Sequence, residues 1–134
     1  MADFNKGQTF LDKSATNQQG TKPKYFIALS DADYDDDTII CFVMNTEHRM
    51  AQYNWLCNKD KQRFIIKPQT FTFITVPTSI ILSKEAYYRY SEMYKPNIKL
   101  LEMADDTLIR QIKNCIDWNY ISVKAANIIK QSFK

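Results

Sequence analysis

Residues 22–49, KPKYFIALSDADYDDDTIICFVMNTEHR, decide the fold of this chain. Two apolar runs, Tyr25–Leu29 and Thr38–Met44, flank a connector with five aspartates between Asp31 and Asp37. Both runs are short and rich in β-branched and aromatic residues, which favours strands over helices. Neither run alternates cleanly between apolar and polar residues, as expected for central strands covered on both faces. The stretch therefore predicts an antiparallel β-hairpin with a long acidic tip.

Outside this hairpin, further short apolar runs predict strands up to about residue 83. Short strands at such close spacing form a barrel or a small sandwich. The predicted strands lie near residues 8–12, 24–30, 38–45, 63–67 and 71–76, with further candidates at 53–57 and 78–82.

The pattern changes to helical spacing in the last part of the chain. Residues 84–94 predict a helix that carries a cluster of tyrosines and ends at Pro96. Asp105 or Asp106 is a candidate N-cap for a helix that extends to about residue 117, and Ser122 is a candidate N-cap for the last helix. The 105–117 helix has one apolar stripe, formed by Leu108, Ile109, Ile112, Cys115 and Ile116.

Strands followed by helices, without alternation, predict the α+β class, mainly β, rather than a parallel α/β sheet. The 134 residues suit a single domain, 1–134. We expect a small, strongly bent antiparallel barrel at about residues 5–83 and a helical part at about residues 84–134, packed outside it.

Composition indicates an ordinary soluble protein, with 45% hydrophobic and 25% charged residues. No run approaches the ~20 apolar residues of a membrane span, and the start MADFNKGQTF is too polar for a signal peptide. We therefore expect a cytoplasmic protein with no membrane partner. The three cysteines, Cys41, Cys57 and Cys115, are odd in number and far apart, which predicts a reducing compartment and no disulfide framework. One histidine and no close cysteine pair argue against a structural zinc site.

The net charge of +3 is unevenly distributed along the chain. Residues 31–47 contain six acids and no Lys or Arg, whereas residues 48–99 contain nine Lys or Arg and three acids. A basic region interspersed with Tyr and Trp suits a single-stranded nucleic acid. An ordinary solvated surface has the same composition, so both interpretations stay open.

Within the acidic connector, Asp31, Asp33 and Asp35 have the spacing of a calcium-binding EF-hand loop. The remaining positions do not fit, because Asp36 replaces the glycine at position six and Phe42 replaces the glutamate at position twelve. The connector therefore predicts a solvated acidic tip and no metal site.

Polar residues follow the second strand of the hairpin. Thr46, Glu47, His48 and Arg49 combine a hydroxyl, a carboxylate, an imidazole and a guanidinium, which together can perform general acid–base chemistry. The end of a strand that leads into a loop is often polar for no functional reason, so the two interpretations remain alternatives. No Gly-rich phosphate loop and no nucleophile elbow accompanies this group.

Three segments of the chain form a recognisable order: KGQTFLD (6–12), GTKPKYFIALS (20–30) and IICFVMNTEHR (39–49). Together they resemble the PemK/MazF-like toxins, a family of small homodimeric endoribonucleases. The resemblance implies an SH3-like barrel followed by helices, and metal-independent cleavage of single-stranded RNA with no cofactor. It also implies a homodimer and an antitoxin protein as partner.

By position, the resemblance implies that the family's catalytic arginine falls on Lys22 and its catalytic threonine on Thr46. We expect His48 and Arg49 to contribute beside them. Further expected RNA contacts are Thr21, Lys24 and Gln19.

A second hypothesis is a non-catalytic barrel of the same descent that binds RNA or a protein partner. It is motivated by lysine at position 22 and by Thr16–Asn17, where the family often has a Ser–Glu pair. A structural accessory protein is a third possibility, for which the sequence offers no positive signal.

Overall fold

The computed structural model describes residues 4–17, 20–33 and 35–134, which form a curved antiparallel sheet, a small separate hairpin and two helices. The strands of these residues are β1 (Gln8–Asp12), β2 (Thr16–Asn17), β3 (Gly20–Thr21), β4 (Lys24–Ala28), β5 (Ile39–Thr46), β6 (Leu56–Asn58), β7 (Arg63–Ile66), β8 (Thr78–Ile81), β9 (Ala86–Tyr88) and β10 (Ile98–Met103). The helices are α1 (Asp106–Cys115) and α2 (Val123–Ser132), and 3₁₀ turns span Met50–Gln52, Lys59–Lys61, Tyr90–Glu92 and Trp118–Tyr120.

The main sheet has the order β10-β1-β4-β5-β8-β7-β6, and every pairing in it is antiparallel. The long strand β5 pairs along one edge with two different strands. Residues 39–41 pair with β9, and residues 44–46 pair with β8. The sheet therefore divides along β5, which gives it a barrel-like shape that is open between the edge strands β10 and β6.

Both faces of the central strands are covered, as the apolar runs predict. On one face, here called the helix face, Ile40 and Phe42 of β5 belong to a core that includes Ile109 and Ile112 of α1 and Ile129 of α2. On the other, here called the opposite face, alternate residues of the same strands form a second core. That core contains Phe10, Phe26, Ala28, Ile39, Cys41, Met93 and Ile98.

Both predicted helix starts are confirmed by their capping contacts. The carboxylate of Asp105 accepts a hydrogen bond from Leu108 N at 2.8 Å, and Ser122 Oγ accepts one from Ala125 N at 3.0 Å. Each contact satisfies a backbone N–H that the first helical turn leaves without a partner. The predicted apolar stripe of α1 is also correct, since Ile109, Ile112 and Cys115 are buried.

Gly7 admits the close contact between β1 and the start of α1. Its φ is +94°, and a Cβ at this position would lie 3.1 Å from the carbonyl oxygen of Ala104 and 3.3 Å from Ile109 Cγ2. Its amide donates to Ala28 O at 2.7 Å, and its carbonyl accepts from Ala104 N at 2.8 Å. A side chain here would be strained and would push the helix from the sheet.

The strand predicted at residues 71–76 is wrong, because this segment forms turns. Ile74 N donates to Phe71 O at 3.0 Å, and Gln69 N donates to Ile74 O at 2.7 Å, so the backbone bonds are local. Phe71 and Ile74 are buried in the helix-face core, while Phe73 stacks on Tyr25. Burial of these side chains outweighs their preference for extended backbone.

The helix predicted at residues 84–94 is also wrong, as is the assignment of residues 84–103 to a helical part. Residues 86–88 pair with β5 instead, and residues 98–103 form the edge strand β10. Pairing separates the tyrosines, since Tyr88 packs against Phe10 and Phe26 while Tyr87 is exposed. Aromatic residues suit such a half-buried strand, and the free half of β5 supplies the partner.

The cysteine prediction is corrected by a disulfide between Cys57 and Cys115. These residues are 58 positions apart, but β6 lies beside the end of α1. Cys41 is the cysteine left over, and it is fully buried as a small apolar residue. An odd number of cysteines is thus compatible with one disulfide and one buried free cysteine.

The predicted fold class is confirmed: the chain is α+β, mainly β, with a barrel-like antiparallel sheet and two C-terminal helices. Within the described ranges, no helix has the length and apolar character needed to cross a membrane.

Candidate functional site

The open end of the β4–β5 hairpin brings the two ends of residues 22–49 together. Tyr25 pairs with Met44 at this end of the β4–β5 ladder, as the predicted antiparallel hairpin requires. At the next position, Lys24 Nζ lies 3.3 Å from Asn45 Oδ1. The strand register therefore brings a basic side chain of one arm to a polar side chain of the other.

Below this surface, Glu47 is a buried carboxylate that holds three elements together. One of its oxygens accepts hydrogen bonds from Ser79 Oγ at 2.6 Å and Arg63 Nη1 at 2.7 Å. The other accepts from the backbone N–H of Arg49 at 3.0 Å. The Glu47 backbone N–H continues the ladder by donating to Pro77 O at 2.9 Å. These contacts fix the turn from which the side chains of residues 46–49 extend.

The same contacts set the ionisation of Glu47. Burial raises the pKa of the carboxyl, but hydrogen bonds from Ser79, the Arg49 amide and Arg63 favour the carboxylate more strongly. The net result is that the pKa of Glu47 lies below its ordinary value. Its side chain is only 5% exposed, and it is ionised and occupied at neutral pH. Glu47 is therefore a positioning residue rather than a free proton acceptor.

Neighbouring strands continue the polar surface across the opposite face. Asp12 pairs with Lys24 between β1 and β4, and Asn45 pairs with Ser79 between β5 and β8. The carboxylate of Asp12 accepts from Ser14 N at 2.9 Å and from the hydroxyl of Tyr88 at 2.6 Å. Burial and this bond to Asp12 raise the pKa of Tyr88 well above its usual range. The Tyr88 hydroxyl therefore lies at the boundary between these polar side chains and the aromatic core of the opposite face.

A group of aromatic and basic side chains adjoins Arg63, and we call it the aromatic–cation platform (Tyr53, Trp55, Lys61, Arg63 and Lys67). The Tyr53 ring centroid lies 5.0 Å from Lys61 Nζ and 5.5 Å from Arg63 Cζ. Lys67 Nζ lies 5.6 Å from the Trp55 ring, which is 43% exposed as a residue. Exposed rings flanked by cations are the elements of a sequence-tolerant site for single-stranded nucleic acid.

Local hydrogen bonds hold the platform in place. The side chain of Asn58, which is buried, accepts from Asn54 N and donates to Asn54 O, both at 2.9 Å. Lys61 Nζ donates to Gln52 O at 2.6 Å. Gln62 turns the chain back into β7 with a φ of 50°, and its buried side chain donates to Cys115 O at 2.9 Å.

The predicted site residues lie at or near the open hairpin end. Lys22, Thr46, His48 and Arg49 are all exposed. The backbone N–H of Lys22 donates to Ala15 O at 2.8 Å, which closes the small β2–β3 hairpin.

The expected RNA contacts have different outcomes. Lys24 is half-buried, and its ammonium contacts the side-chain oxygen of Asn45. Gln19 lies outside the described residues, as does the side chain of Thr21, whose backbone belongs to β3. That Lys22, Thr46, His48 and Arg49 act together in catalysis stays a prediction.

Sequence reasoning missed the partners of Glu47. Arg63 and Ser79 lie 16 and 32 positions from it, on strands that only the sheet order brings to β5. Burial of the Glu47 carboxylate can be inferred only when both of these hydrogen-bonding partners are known. The sequence also did not single out Tyr53 and Lys61, although the basic and aromatic composition of residues 48–99 indicated a surface suited to a single-stranded nucleic acid.

The acidic tip lies at the far end of β5, about 25 Å from the open end for eight residues of strand. Its carboxylates serve the fold: Asp31 accepts from Lys6 N at 2.9 Å, Asp37 accepts from Ser91 N at 2.9 Å, and Asp36 pairs with Lys124 at 2.5 Å.

A cavity of about 560 Å³ adjoins the tip and is lined by Asp31, Asp33, Asp35 and residues of α2. Among residues 4–17, 20–33 and 35–134, no group of three or more His, Cys, Asp or Glu side chains is arranged to hold a metal ion.

No protein-family model matches the sequence, and no curated protein matches it. The interpretation of this site accordingly rests on its residues.

Proposed function

We propose that this chain is a toxin-like, metal-independent endoribonuclease that cleaves single-stranded RNA at the open end of the β4–β5 hairpin. The observation that supports the proposal is the β4–β5 register, which sets Lys24 beside Asn45 at the end of the hairpin whose two arms continue into Lys22 and Thr46–Arg49. Like the family that it resembles in sequence, the protein would act in the cytoplasm as a homodimer and be held inactive by an antitoxin protein.

The proposed reaction uses side chains that we expect to converge at this end of the hairpin. The 2′-hydroxyl of one nucleotide attacks the adjacent phosphorus, and the P–O5′ bond breaks to leave a cyclic phosphate and a 5′-hydroxyl. Lys22 and Arg49 stabilise the charge that develops on the phosphoryl oxygens, and Thr46 donates a hydrogen bond to them. His48 transfers a proton between the attacking and leaving oxygens.

Substrate binding would use the aromatic–cation platform. Glu47 links the two regions, because it contacts the amide of Arg49 on one side and the guanidinium of Arg63 on the other. An RNA strand lying across both would place phosphates near Lys61 and Lys67 and a base on Trp55. The acidic tip faces the opposite end of the hairpin, where it does not repel the RNA backbone.

A non-catalytic RNA-binding barrel is the second candidate, and the state of Glu47 favours it. That carboxylate is buried and occupied by three donors, so His48 is left as the proton acceptor among Thr46–Arg49. Lys22 also lacks the planar fork with which arginine grips a phosphate at two points.

The test is incubation of the purified protein with a mixed RNA pool, with and without a chelator, followed by mapping of the new 5′ ends. We expect cleavage that the chelator leaves unchanged, and at least a ~100-fold loss in Lys22→Ala and in Thr46→Ala. Lys124→Ala is the matched control, because Lys124 is an exposed lysine beside the acidic tip. Its rate should equal that of the wild type.

The two candidates give different results in this assay. A binding barrel leaves every RNA intact and loses affinity, in a salt-dependent manner, in Lys22→Ala but not in Thr46→Ala. Folded wild-type protein that neither cleaves nor binds any RNA in the pool would end both.

A further inference from the structure

The disulfide joins an exposed residue to a buried one. Cys57 lies in the middle of β6, an edge strand of three residues, and is exposed. Cys115 is the last residue of α1 and is 1% exposed. A reagent in solution therefore meets the bond from the Cys57 side.

The surroundings of the bond leave room for such a reagent. A cavity of about 280 Å³ is lined by both cysteines together with Leu56, Phe64, Gln111 and Asn114. The ammonium of Lys59 lies 3.3 Å from the backbone oxygen of Asn114, one of the residues that line this cavity. A cation bonded to a lining residue favours the approach of a thiolate, the form that attacks disulfides.

The bond holds the platform segment against α1. β6 pairs with β7 along one edge only, so its other edge depends on the helix. Besides the disulfide, the contacts with the end of α1 are made from Lys59 and from Gln62, whose side chain donates to Cys115 O and accepts from Asp117 N. Once the bond opens, these contacts still hold residues 59–62 against the helix, whereas Cys57 keeps its pairing with Phe64 of β7 but loses its covalent link to α1.

We propose that Cys57–Cys115 is a thiol–disulfide exchange site for a dithiol, and that the state of this bond controls the order of residues 53–58, which carry Tyr53 and Trp55. The inference goes beyond RNA cleavage; its consequence for RNA binding rests on the proposed function. In the cytoplasm, where we place the protein, disulfides are mostly transient and regulatory.

The dithiol supplies the electrons and protons for the exchange. Its thiolate attacks Cys57 Sγ, forms a mixed disulfide there and releases Cys115 as a thiolate, which takes up a proton. The second thiol of the dithiol then attacks its own bonded sulfur and releases Cys57. The dithiol is oxidised to a cyclic disulfide, and the protein gains two electrons and two protons.

The reduced cysteines should differ in reactivity. Cys115 lies at the C-terminal end of α1, where the negative end of the helix dipole disfavours a thiolate. Cys57 is exposed and near Lys59. Cys41 is an internal control, because complete burial raises the pKa of its thiol well above the ordinary value.

The first experiment treats the folded protein with dithiothreitol, alkylates the thiols and locates the label by mass spectrometry. We expect Cys57 to be labelled first, Cys115 later and Cys41 not at all. A bond that resists dithiothreitol until the protein unfolds would overturn the proposal, as would labelling of Cys41 together with the pair.

The second experiment measures hydrogen exchange in both states. Reduction should speed exchange in residues 53–58 by at least ~10-fold and leave β7 unchanged. Cys57→Ser should exchange like the reduced wild type and not respond to dithiothreitol. Equal exchange in the oxidised and reduced protein would contradict control of this segment by the bond.

An RNA-binding measurement separates this proposal from the proposed function. If Trp55 stacks on a base, reduction should weaken single-stranded RNA binding by about 10-fold. Absence of RNA binding in both states would remove the proposed function and leave the exchange site intact. RNA binding that is equal in both states, despite faster exchange in residues 53–58, would exclude redox control of the platform.

Discussion

The two faces of the sheet differ in how far their apolar character extends. The helix face is apolar throughout, from Leu29 near the tip to Met44 near the open end. The opposite face is apolar at Ala28 and Cys41 but becomes polar at Lys24 and Asn45. The helices thus close a core on one side, whereas the other side combines a core with a polar surface.

This difference explains why the candidate site lies at the open end of the hairpin. A buried carboxylate is tolerated only where donors surround it, and Glu47 has three. At the tip, by contrast, acids that lie near solvent pair with exposed partners such as Lys124. We therefore expect substitutions on the helix face to affect stability most and those at the tip least.

The largest effect is expected on the helix face. Ile112→Asp would place a charge without a partner in a fully buried position, and should lower the free energy of unfolding by about 4 kcal/mol or more. Chemical denaturation monitored by circular dichroism measures it. Gln111→Asp is the control, because residue 111 is exposed on the same helix. Equal stability of the two variants would show that α1 packs with another face.

An intermediate effect is expected at Glu47. Glu47→Gln removes a charged acceptor that is bonded to Ser79 and Arg63, and should cost about 2 kcal/mol at pH 7. Because the folded-state pKa of Glu47 is lowered, its stabilisation is complete above the unfolded value of about 4.3 and is lost as the pH falls through the folded value.

Denaturation of the wild type and of Glu47→Gln at several pH values checks this dependence. The difference in stability between them should be constant at neutral pH and shrink below about pH 4. A difference that grows on acidification would contradict an ionised Glu47 in the folded protein.

The smallest effect is expected at the tip. The bond to Lys124 lowers the pKa of Asp36, but this carboxylate is exposed and its ion pair is screened by solvent. Asp36→Asn should therefore leave the melting temperature unchanged, and any small difference should disappear in high salt. A clear loss of stability that persists in high salt would mean that the tip contributes to the fold as Glu47 does.

The elements that sequence analysis predicted correctly are those with a strong local signal. The β4–β5 hairpin follows from two β-branched runs around an acidic connector, and the helix starts follow from Asp105 and Ser122. The errors at residues 71–76 and 84–94 have the opposite origin. Their apolar and aromatic residues are compatible with several backbones, and contacts with Tyr25 and with β5 select the one observed.

The candidate site was predictable in part. Antiparallel pairing of the two runs implies that Lys22 and Lys24 lie near Thr46–Arg49, and Tyr25 does pair with Met44. The link from Glu47 to the platform was not predictable, since it depends on where β7 and β8 enter the sheet.

By itself, the sequence determined the class of the fold, the central hairpin, the opposite charges of its two ends and the caps of both helices. These features depend on periodicity and on contacts within a few residues, which a sequence displays directly. Only the tertiary structure decided the pairing of Cys57 with Cys115, the burial of Glu47 between Arg63 and Ser79, and the strand at residues 86–88. Each of these depends on partners distant in sequence, and their selection is a property of the whole core.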